Sequence, residues 1–214
     1  MTHPLPVHDE LIENIKGRVP GYEMHLNGPP PPPAAPFLAA NSEAVEHRLG
    51  FRLPDLLVQL YVEVGNGGFG PGYGLMGLGE GGFTDDLSQT ADDLYRFWRS
   101  EEAKRDRCFW PKGVLPVSPL GCAMYACIGT KLDEVLIWEP NLWNKRNSVK
   151  SAIFRTSMTL ADWLGGWADG KTVSCSQVYG HNSFADLPPL ARPLASPSAV
   201  RRAPKDQTDF LDKL

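Results

Sequence analysis

The sequence lacks any apolar run long enough to cross a bilayer, which takes about 20 consecutive apolar residues. Residues 1–19 carry acidic side chains and no apolar stretch of the kind found in secretory signals. Basic charge is not in excess either, because 21 Lys and Arg face 25 Asp and Glu, for a formal net charge of −4. Nucleic-acid binding needs concentrated Lys and Arg at the phosphates. We therefore expect a cytoplasmic protein that binds neither membranes nor nucleic acids.

Motifs for metal binding and covalent catalysis are missing as well. The four cysteines form no C-x-x-C pair, and the five histidines form neither H-x-x-H nor H-E-x-x-H. Cys122 and Cys127 lie five residues apart in a strand-like run, which places them on opposite faces and is unsuitable for a shared metal. We interpret the cysteines as small core residues in a reducing compartment. With no G-x-S-x-G elbow and no recognisable Cys–His motif, we expect no metal, no cofactor and no catalytic residue.

Glycine is abundant in residues 65–74, GNGGFGPGYG, whose first six residues match the G-x-G-x-x-G spacing of a dinucleotide-binding turn. Such a turn must follow a strand and open a helix, so that helix N-terminal amides face the pyrophosphate. Here the glycines follow the helical pattern LPDLLVQLYVEV and lead into the strand-like run YGLMGL. They would lie at the negative end of a helix dipole, which repels phosphate. We interpret Gly65, Gly67 and Gly68 as residues whose positive φ turns the chain from helix to sheet.

Apolar periodicity and end signals predict the regular elements. Helices are predicted at residues 9–18, from Asn41 or Ser42 to Gly50, from Pro54 to residue 64, at 90–105 and at 159–170. The last two begin with pairs that fit a capping box, Thr90 with Asp93 and Thr159 with Asp162. Strands are predicted at GVLPVS, CAMYACIG and EVLIWEP. Helices, then strands, then a helix indicate an α+β fold, with helices packed on an antiparallel or mixed sheet.

The composition of the two ends predicts three segments. With 42% hydrophobic residues, 214 residues suffice for one domain with a substantial core. Residues 1–40 hold a short helix and five successive prolines, which indicate a stiff polyproline II spacer, with an SH3-type docking ligand as the alternative. Residues 41–181 form the domain. Residues 182–214, rich in Pro, Ala and Ser, are predicted to be a flexible tail.

The block EAVEHRLGFRLPDLLVQLYVEVGNGGFGP resembles the signature of the SUKH superfamily, whose members include bacterial immunity proteins and a fungal cell-wall-assembly regulator. The family pattern is a glutamate-bearing helix, then L-G-x-x-L-P, then an apolar helix ending in N-G-G. The matching residues here are Glu46, Leu49-Gly50, Leu53-Pro54 and Asn66-Gly67-Gly68. The strand runs and TSMTLADWLGGWADG are similar to later family blocks, so the resemblance covers roughly residues 40–170. Met158 stands where the family usually has an aromatic residue.

The resemblance implies a noncatalytic module that binds a protein partner. Bacterial members of this kind are typically immunity proteins that bind and block a polymorphic toxin domain, often a nuclease, and a basic nuclease is one candidate partner here. Two alternatives stay open: an intracellular regulator or scaffold of the same fold, and an enzyme without a recognisable motif. Because recognition surfaces vary in the family, the resemblance transfers no site residue.

Charge and aromatic side chains suggest where a partner would bind. Residues 53–95 contain seven acids and no Lys or Arg, and such a negative field would steer a basic partner. The alternative is that these acids begin helices or lie in solvated turns. Trp138 and Trp143 are candidate anchors, with partial burial at the sheet edge as the alternative. The candidate partner-binding residues are Glu80, Asp85, Asp86, Trp138 and Trp143.

Overall fold

A computed structural model describes residues 8–21, 33–171 and 189–190. In this part of the chain the α-helices are α1 (Asp9–Arg18), α2 (Ser42–Leu49), α3 (Asp55–Glu63), α4 (Ala91–Trp98), α5 (Glu101–Arg105) and α6 (Leu160–Ala168). The strands are β1 (Val114–Gly121), β2 (Met124–Gly129), β3 (Glu134–Trp138) and β4 (Ile153–Arg155). The predicted α+β class is confirmed.

The four strands form one antiparallel sheet in the order β1-β2-β3-β4. Ile128 stands opposite Leu115 on β1 and opposite Val135 on β3, so the middle of the sheet pairs apolar residues on both sides. All five residues of β3 are buried, as expected of a strand covered on both faces. β4 has only three residues, and the sequence pattern did not predict it. The Leu190 N–H donates to the Ile153 carbonyl at 2.9 Å, which continues pairing beyond β4.

The core lies between this sheet and the helices. Leu57, Leu60 and Tyr61 of α3 are fully buried, as is Leu164 of α6. Full burial of a leucine side chain contributes about 1.5–3 kcal/mol relative to exposure. Apolar residues of the predicted helix from Pro54 to residue 64 therefore form the face that α3 buries.

Helix α1 belongs to the same core, although the sequence places it in a separate N-terminal segment. Ile12 and Ile15 are fully buried, and α1 packs against α6. The Lys16 ammonium contacts Glu63 of α3 at 3.1 Å. The packed unit therefore begins before residue 41. The predicted tail at 182–214 lies outside the described residues, apart from residues 189 and 190, as do residues 172–181 and most of the proline run.

Two helix ends follow the sequence signals. Gly50 ends α2 with φ of 75°, and its N–H donates to the Glu46 carbonyl at 2.8 Å. At α6 the Thr159 hydroxyl accepts from the Asp162 N–H, while the Asp162 carboxylate accepts from the Thr159 N–H. The left-handed glycine end and the α6 capping box are both confirmed.

The predicted helix at 90–105 is wrong in two respects. It is divided at residues 99 and 100 into α4 and α5, where Ser100 caps α5 by accepting from the Ala103 N–H. The Thr90 hydroxyl lies 3.0 Å from both the Asp92 and the Asp93 carboxylates, between which its one hydrogen is shared, and it caps no backbone N–H, so the predicted capping box at α4 does not form. A hydroxyl beside two carboxylates donates to them, because they are stronger acceptors than it is.

The strand predicted at YGLMGL is also wrong. Residues 73–78 form a buried irregular loop, in which the Tyr73 and Met76 N–H groups donate to the Pro119 and Val117 carbonyls of β1. Gly67 supplies a positive φ of 90° after α3, as predicted for the glycines that follow this helix. Gly65 is needed for space instead, because a Cβ there would lie 2.8 Å from the Ala34 carbonyl oxygen.

Candidate functional site

The residues of the N-G-G block hold the glycine-rich loop in place. The Asn66 side chain is buried and bonds both backbone groups of Leu78, donating from Nδ2 to the carbonyl and accepting at Oδ1 from the N–H, each at 2.8 Å. At Gly67, a Cβ would lie 2.5 Å from the Leu75 carbonyl oxygen and 2.7 Å from the Gly77 nitrogen. The Gly68 N–H donates to the Leu75 carbonyl, so this amide is already satisfied by the protein. The block therefore positions a loop and follows a helix, as inferred from the sequence.

The glutamate of the same pattern supports the turn between α2 and α3. Glu46 Oε1 accepts the Leu53 N–H at 2.8 Å, and the Leu53 side chain is buried. Pro54 stands at the N-cap of α3, where its missing N–H costs nothing. These residues have a structural role: they fix the start of α3, and the glycine-rich loop follows this helix.

An apolar cleft of about 610 Å³ opens between the loop at residues 83–87 and the tip of the β1–β2 hairpin. Its apolar and aromatic lining includes Tyr73, Phe83, Pro119, Met124 and Tyr125. Asp85, Asp86 and Leu87 line the loop side, and Leu87 leaves 68% of its surface exposed. No Lys or Arg of the described chain lines the cleft. Concave apolar surfaces with a few polar groups are the usual form of ligand sites.

The hairpin tip is a tight turn built from residues that rarely adopt its conformation. Cys122 and Ala123 both have positive φ, 51° and 63°, the combination that a type I′ turn requires. Each non-glycine residue in this region costs about 1–2 kcal/mol. Cys122 is exposed at this turn, so its interpretation as a core residue is wrong. Cys127 is fully buried, as predicted, and burial raises the pKa of its thiol. Cys108 is partly buried, and Cys175 lies outside the described residues.

Asp85 lies at the base of the cleft and is only 7% exposed. Its Oδ1 accepts the N–H groups of Leu87 and Gln89, each at 2.9 Å, which fold the loop around it. Its Oδ2 accepts the Tyr125 hydroxyl at 2.9 Å. Burial, together with this carboxylate, raises the pKa of Tyr125, so the phenol stays protonated near neutrality. The three donors are neutral, and no cation of the described chain lies within 4 Å of Asp85.

Glu139 repeats this arrangement at the other side of the hairpin tip. The carboxylate is 6% exposed and accepts the N–H and the Nδ2 of Asn141, each at 2.8 Å. The same Asn141 Nδ2 also donates to the Cys122 carbonyl at 3.2 Å, which ties this turn to the hairpin. Glu139 forms no ion pair with a described residue either. Sequence reasoning missed Glu139 because nothing in EVLIWEP indicates that this acid is buried.

The other acids of residues 53–95 are either paired with a cation or exposed. Asp92 is buried and accepts from Arg48 at 2.8 Å, and Glu63 pairs with Lys16. A hydrogen bond from Gln59 and the bond from Lys16 lower the pKa of Glu63. Glu80 and Asp86 are exposed, and of these two only Asp86 lines the cleft. The net negative charge that residues 53–95 present to a partner is therefore smaller than their seven acids alone imply.

The two candidate tryptophans belong to an aromatic cluster behind the cleft. Trp138 is 5% exposed, with ring centroids of Trp110 and Trp143 at 5.4 and 5.9 Å. The idea of Trp138 as an exposed anchor is therefore corrected: it is a core residue of β3. Trp143 is partly buried, and its Nε1 donates to the Asn147 carbonyl at 3.2 Å. Trp98 links this cluster to Tyr125 by an edge contact with ring centroids 5.3 Å apart.

Among the described residues, no group of three or more His, Cys, Asp or Glu is arranged to hold a metal ion. Within the same ranges, no helix combines the length and the apolar character needed to cross a membrane. The cleft brings together Asp85 and Asp86 from the predicted site residues, and it leaves Glu80, Trp138 and Trp143 elsewhere. Its apolar lining was not predicted, because it comes from three segments that are distant in sequence.

Comparison with known proteins bears on the family alone. The SMI1 / KNR4 family model (SUKH-1) matches residues 38–166, which is more than half of the chain. The match spans the glutamate helix, the N-G-G block, the cleft and the whole sheet. Comparison with curated proteins and with solved structures gives no match. The superfamily includes immunity proteins and regulators, and its members typically bind protein partners. On this match, the chain belongs to the SMI1/KNR4 (SUKH-1) family.

Proposed function

We propose that this protein is a noncatalytic protein-binding module, and specifically an immunity protein that binds and neutralises a cognate toxin inside the producing cell. The observation that supports this most directly is the apolar cleft at the hairpin tip, whose rim leaves Leu87 and Cys122 exposed. Exposed apolar surface with a polar rim is typical of a protein-docking site. The family match supports the class of function, and the cleft supplies a surface for it.

The proposed mechanism is occlusion of the toxin without chemistry. A protein that covers an active site or substrate groove needs a rigid, complementary surface more than it needs reactive groups. The cleft has rigid supports, since the Asn66 amide and the Asp85 carboxylate hold the loops on one side and antiparallel pairing holds the hairpin on the other. The exposed acids Asp86 and Glu80 would raise the rate of association with a basic toxin.

The experiment is co-expression with the protein encoded next to this one. We expect rescue of growth from the toxicity of the neighbouring protein and co-purification of the two proteins in a fixed ratio. Matched controls are an unrelated protein of similar size and a variant with Met124→Glu, which puts a charge into the cleft. A neighbour that is harmless, or that never associates, would count against the immunity function and favour a regulator of the same fold.

The association rate gives a second readout. Reversing Asp86 to Lys is expected to slow association several-fold at low salt and to affect dissociation less, because exposed charges act mainly on encounter. Asp85 is unsuitable for this reversal, since its carboxylate accepts three hydrogen bonds that a lysine cannot replace. Equal association rates for the wild type and Asp86→Lys at low salt would contradict steering by this acid.

A further inference from the structure

We propose that the cleft receives an arginine side chain of the partner protein, flanked by apolar residues that pack on the lining. This inference deepens the proposed binding function and rests on it. It names the chemistry of the partner segment: a basic and apolar loop, in which arginine enters between the 83–87 loop and the hairpin tip.

The first support is an imbalance of charge around this tip. Elsewhere in the described chain, buried acids have cationic partners: Asp92 is paired with Arg48 at 2.8 Å and Glu134 with Arg155 at 2.7 Å. Asp85 and Glu139 are similarly buried, yet each donor to them from the described residues is neutral. Neutral dipoles solvate a carboxylate but leave its net charge uncompensated. At Asp85, which lines the cleft, a cation from outside would complete the pattern that the other buried acids follow; Glu139 does not line the cleft.

The second support is acceptor capacity in the cleft itself. An ionised carboxylate offers about four lone-pair sites, and the described donors occupy three at Asp85. Asp86, the next residue, is exposed at the rim, with no described side chain bonded to its carboxylate. A guanidinium has five N–H donors in a fixed plane, so a single arginine can donate hydrogen bonds to two neighbouring carboxylates.

The third support is the aromatic lining, which favours arginine over lysine. Tyr73, Phe83 and Tyr125 line the cleft together with Pro119 and Met124. Arginine stacks on aromatic rings and loses less hydration than the lysine ammonium does. Its methylene stem also packs on apolar surface while the charged end reaches a carboxylate. The volume of about 610 Å³ leaves room for an apolar neighbour beside the arginine.

The test is a titration of the full chain with short peptides, followed by amide NMR shifts. The probes are acetyl-Leu-Arg-Leu-amide, the same peptide with citrulline, a neutral isostere of arginine, and the same peptide with glutamate. We expect shifts at residues 83–89 and 121–125 with the arginine peptide, and affinity about tenfold weaker with citrulline, as for one charge-assisted hydrogen bond. Equal affinity for the arginine and citrulline peptides, or shifts away from these residues, would overturn the proposal.

Two variants sharpen the test. Asp85→Asn removes the charge but keeps an oxygen that accepts from the backbone, and Asp86→Asn removes the rim charge without touching a buried bond. Each is expected to weaken binding of the arginine peptide several-fold and binding of the citrulline peptide less, because citrulline carries no charge. Asp55→Asn, at an exposed position outside the cleft, is the matched control and should change neither. If Asp85→Asn does not fold, Asp86→Asn alone decides, and unchanged arginine affinity in it contradicts the proposal.

The same variants separate this inference from the proposed function. If the neighbouring protein does not bind but the arginine peptide maps to the cleft, the immunity function fails and the arginine site stands. If the neighbouring protein binds wild type and both Asn variants equally, and the peptide shifts lie elsewhere, the protein-binding function stands and the arginine site fails.

Discussion

At the scale of single residues, the scaffold of this family fold depends on a few backbone contacts that only certain side chains permit. Gly67 is the clearest case. Its φ is positive, and a Cβ added there would lie too close to two backbone atoms. The side-chain amide of the neighbouring Asn66 bonds the N–H and the carbonyl of Leu78, as the backbone of an adjacent strand would. Neither residue contacts the cleft, and both position the loop that forms one side of it.

Gly67→Ala is expected to cost about 3 kcal/mol or more of unfolding free energy, because the new Cβ meets backbone atoms that cannot move aside, in addition to the φ penalty. Gly81→Ala is the matched control: φ there is 77°, and no atom lies within 4 Å of the added Cβ. Its cost should be only the φ penalty, about 1–2 kcal/mol. Urea unfolding measures both, and equal losses would contradict the steric contribution at Gly67.

Asn66→Ala is expected to destabilise the protein by about 2–4 kcal/mol, since it leaves the buried N–H and carbonyl of Leu78 without partners. Asn14→Ala on the exposed face of α1 should stay within about 0.5 kcal/mol of wild type. Denaturant midpoints at constant m-value report the two differences. A loss at Asn66 as small as that at Asn14 would show that water replaces the amide.

At the scale of elements, end signals and periodicity predicted most of the fold, because they are local. Helices α1, α2 and α6 and strands β1 to β3 lie where the pattern indicated. Three features were not predictable in this way. The glycine-rich loop has its backbone partners on β1, the break between α4 and α5 depends on Ser100, and β4 is too short for a periodic signal.

The capping box of α6 predicts a pH dependence. Hydrogen bonds from the Thr159 side chain and backbone lower the pKa of Asp162 below its usual 3.8. A carboxyl whose pKa is lower in the folded state stabilises it above the unfolded pKa, and this contribution is lost as pH falls through the folded pKa. Asp162→Asn should therefore be less stable than wild type near neutrality, with the difference shrinking as pH falls below the usual carboxyl pKa of 3.8.

Unfolding by urea across this pH range measures the effect, and Asp106→Asn, which replaces an exposed aspartate at the end of α5, is the control. The Asp106→Asn difference should not follow the same trend. A pH-independent difference for Asp162→Asn would mean that the carboxylate bond contributes nothing at this helix start.

At the scale of the whole molecule, we expect α1 to unfold together with the rest of the domain. Ile12→Ala is expected to lower the free energy of global unfolding by about 2–4 kcal/mol, because a fully buried side chain leaves a cavity against α6. A single transition with an unchanged m-value would accompany this loss. Glu10→Ala, exposed on the same helix, should have little effect. A separate early transition would instead mean that α1 is a docked appendage.

The candidate site was predictable only in part, because it exists at this larger scale. Its acids are visible in the sequence, and two of them, Asp85 and Asp86, do face one cleft. Burial decides which charges are available, however, and it depends on long-range packing. Asp92 is neutralised by Arg48 from 44 positions away, and Trp138 is enclosed by neighbouring strands and rings. No local pattern distinguishes these from the exposed residues.

The glycine-rich loop has a consequence for the order in which the chain folds. Its backbone partners include β1, which lies some 40 residues later: Tyr73 bonds to Pro119 and Met76 to Val117. The loop also has local bonds, such as that from the Gly68 N–H to the Leu75 carbonyl, but its bonds to β1 form only after the entropy of closing the intervening chain has been overcome. We therefore expect the β1–β2 hairpin, which needs only neighbouring residues, to form before the loop docks on β1. On this expectation, the hairpin wall of the cleft is assembled before the opposite wall, and the cleft is completed late in folding.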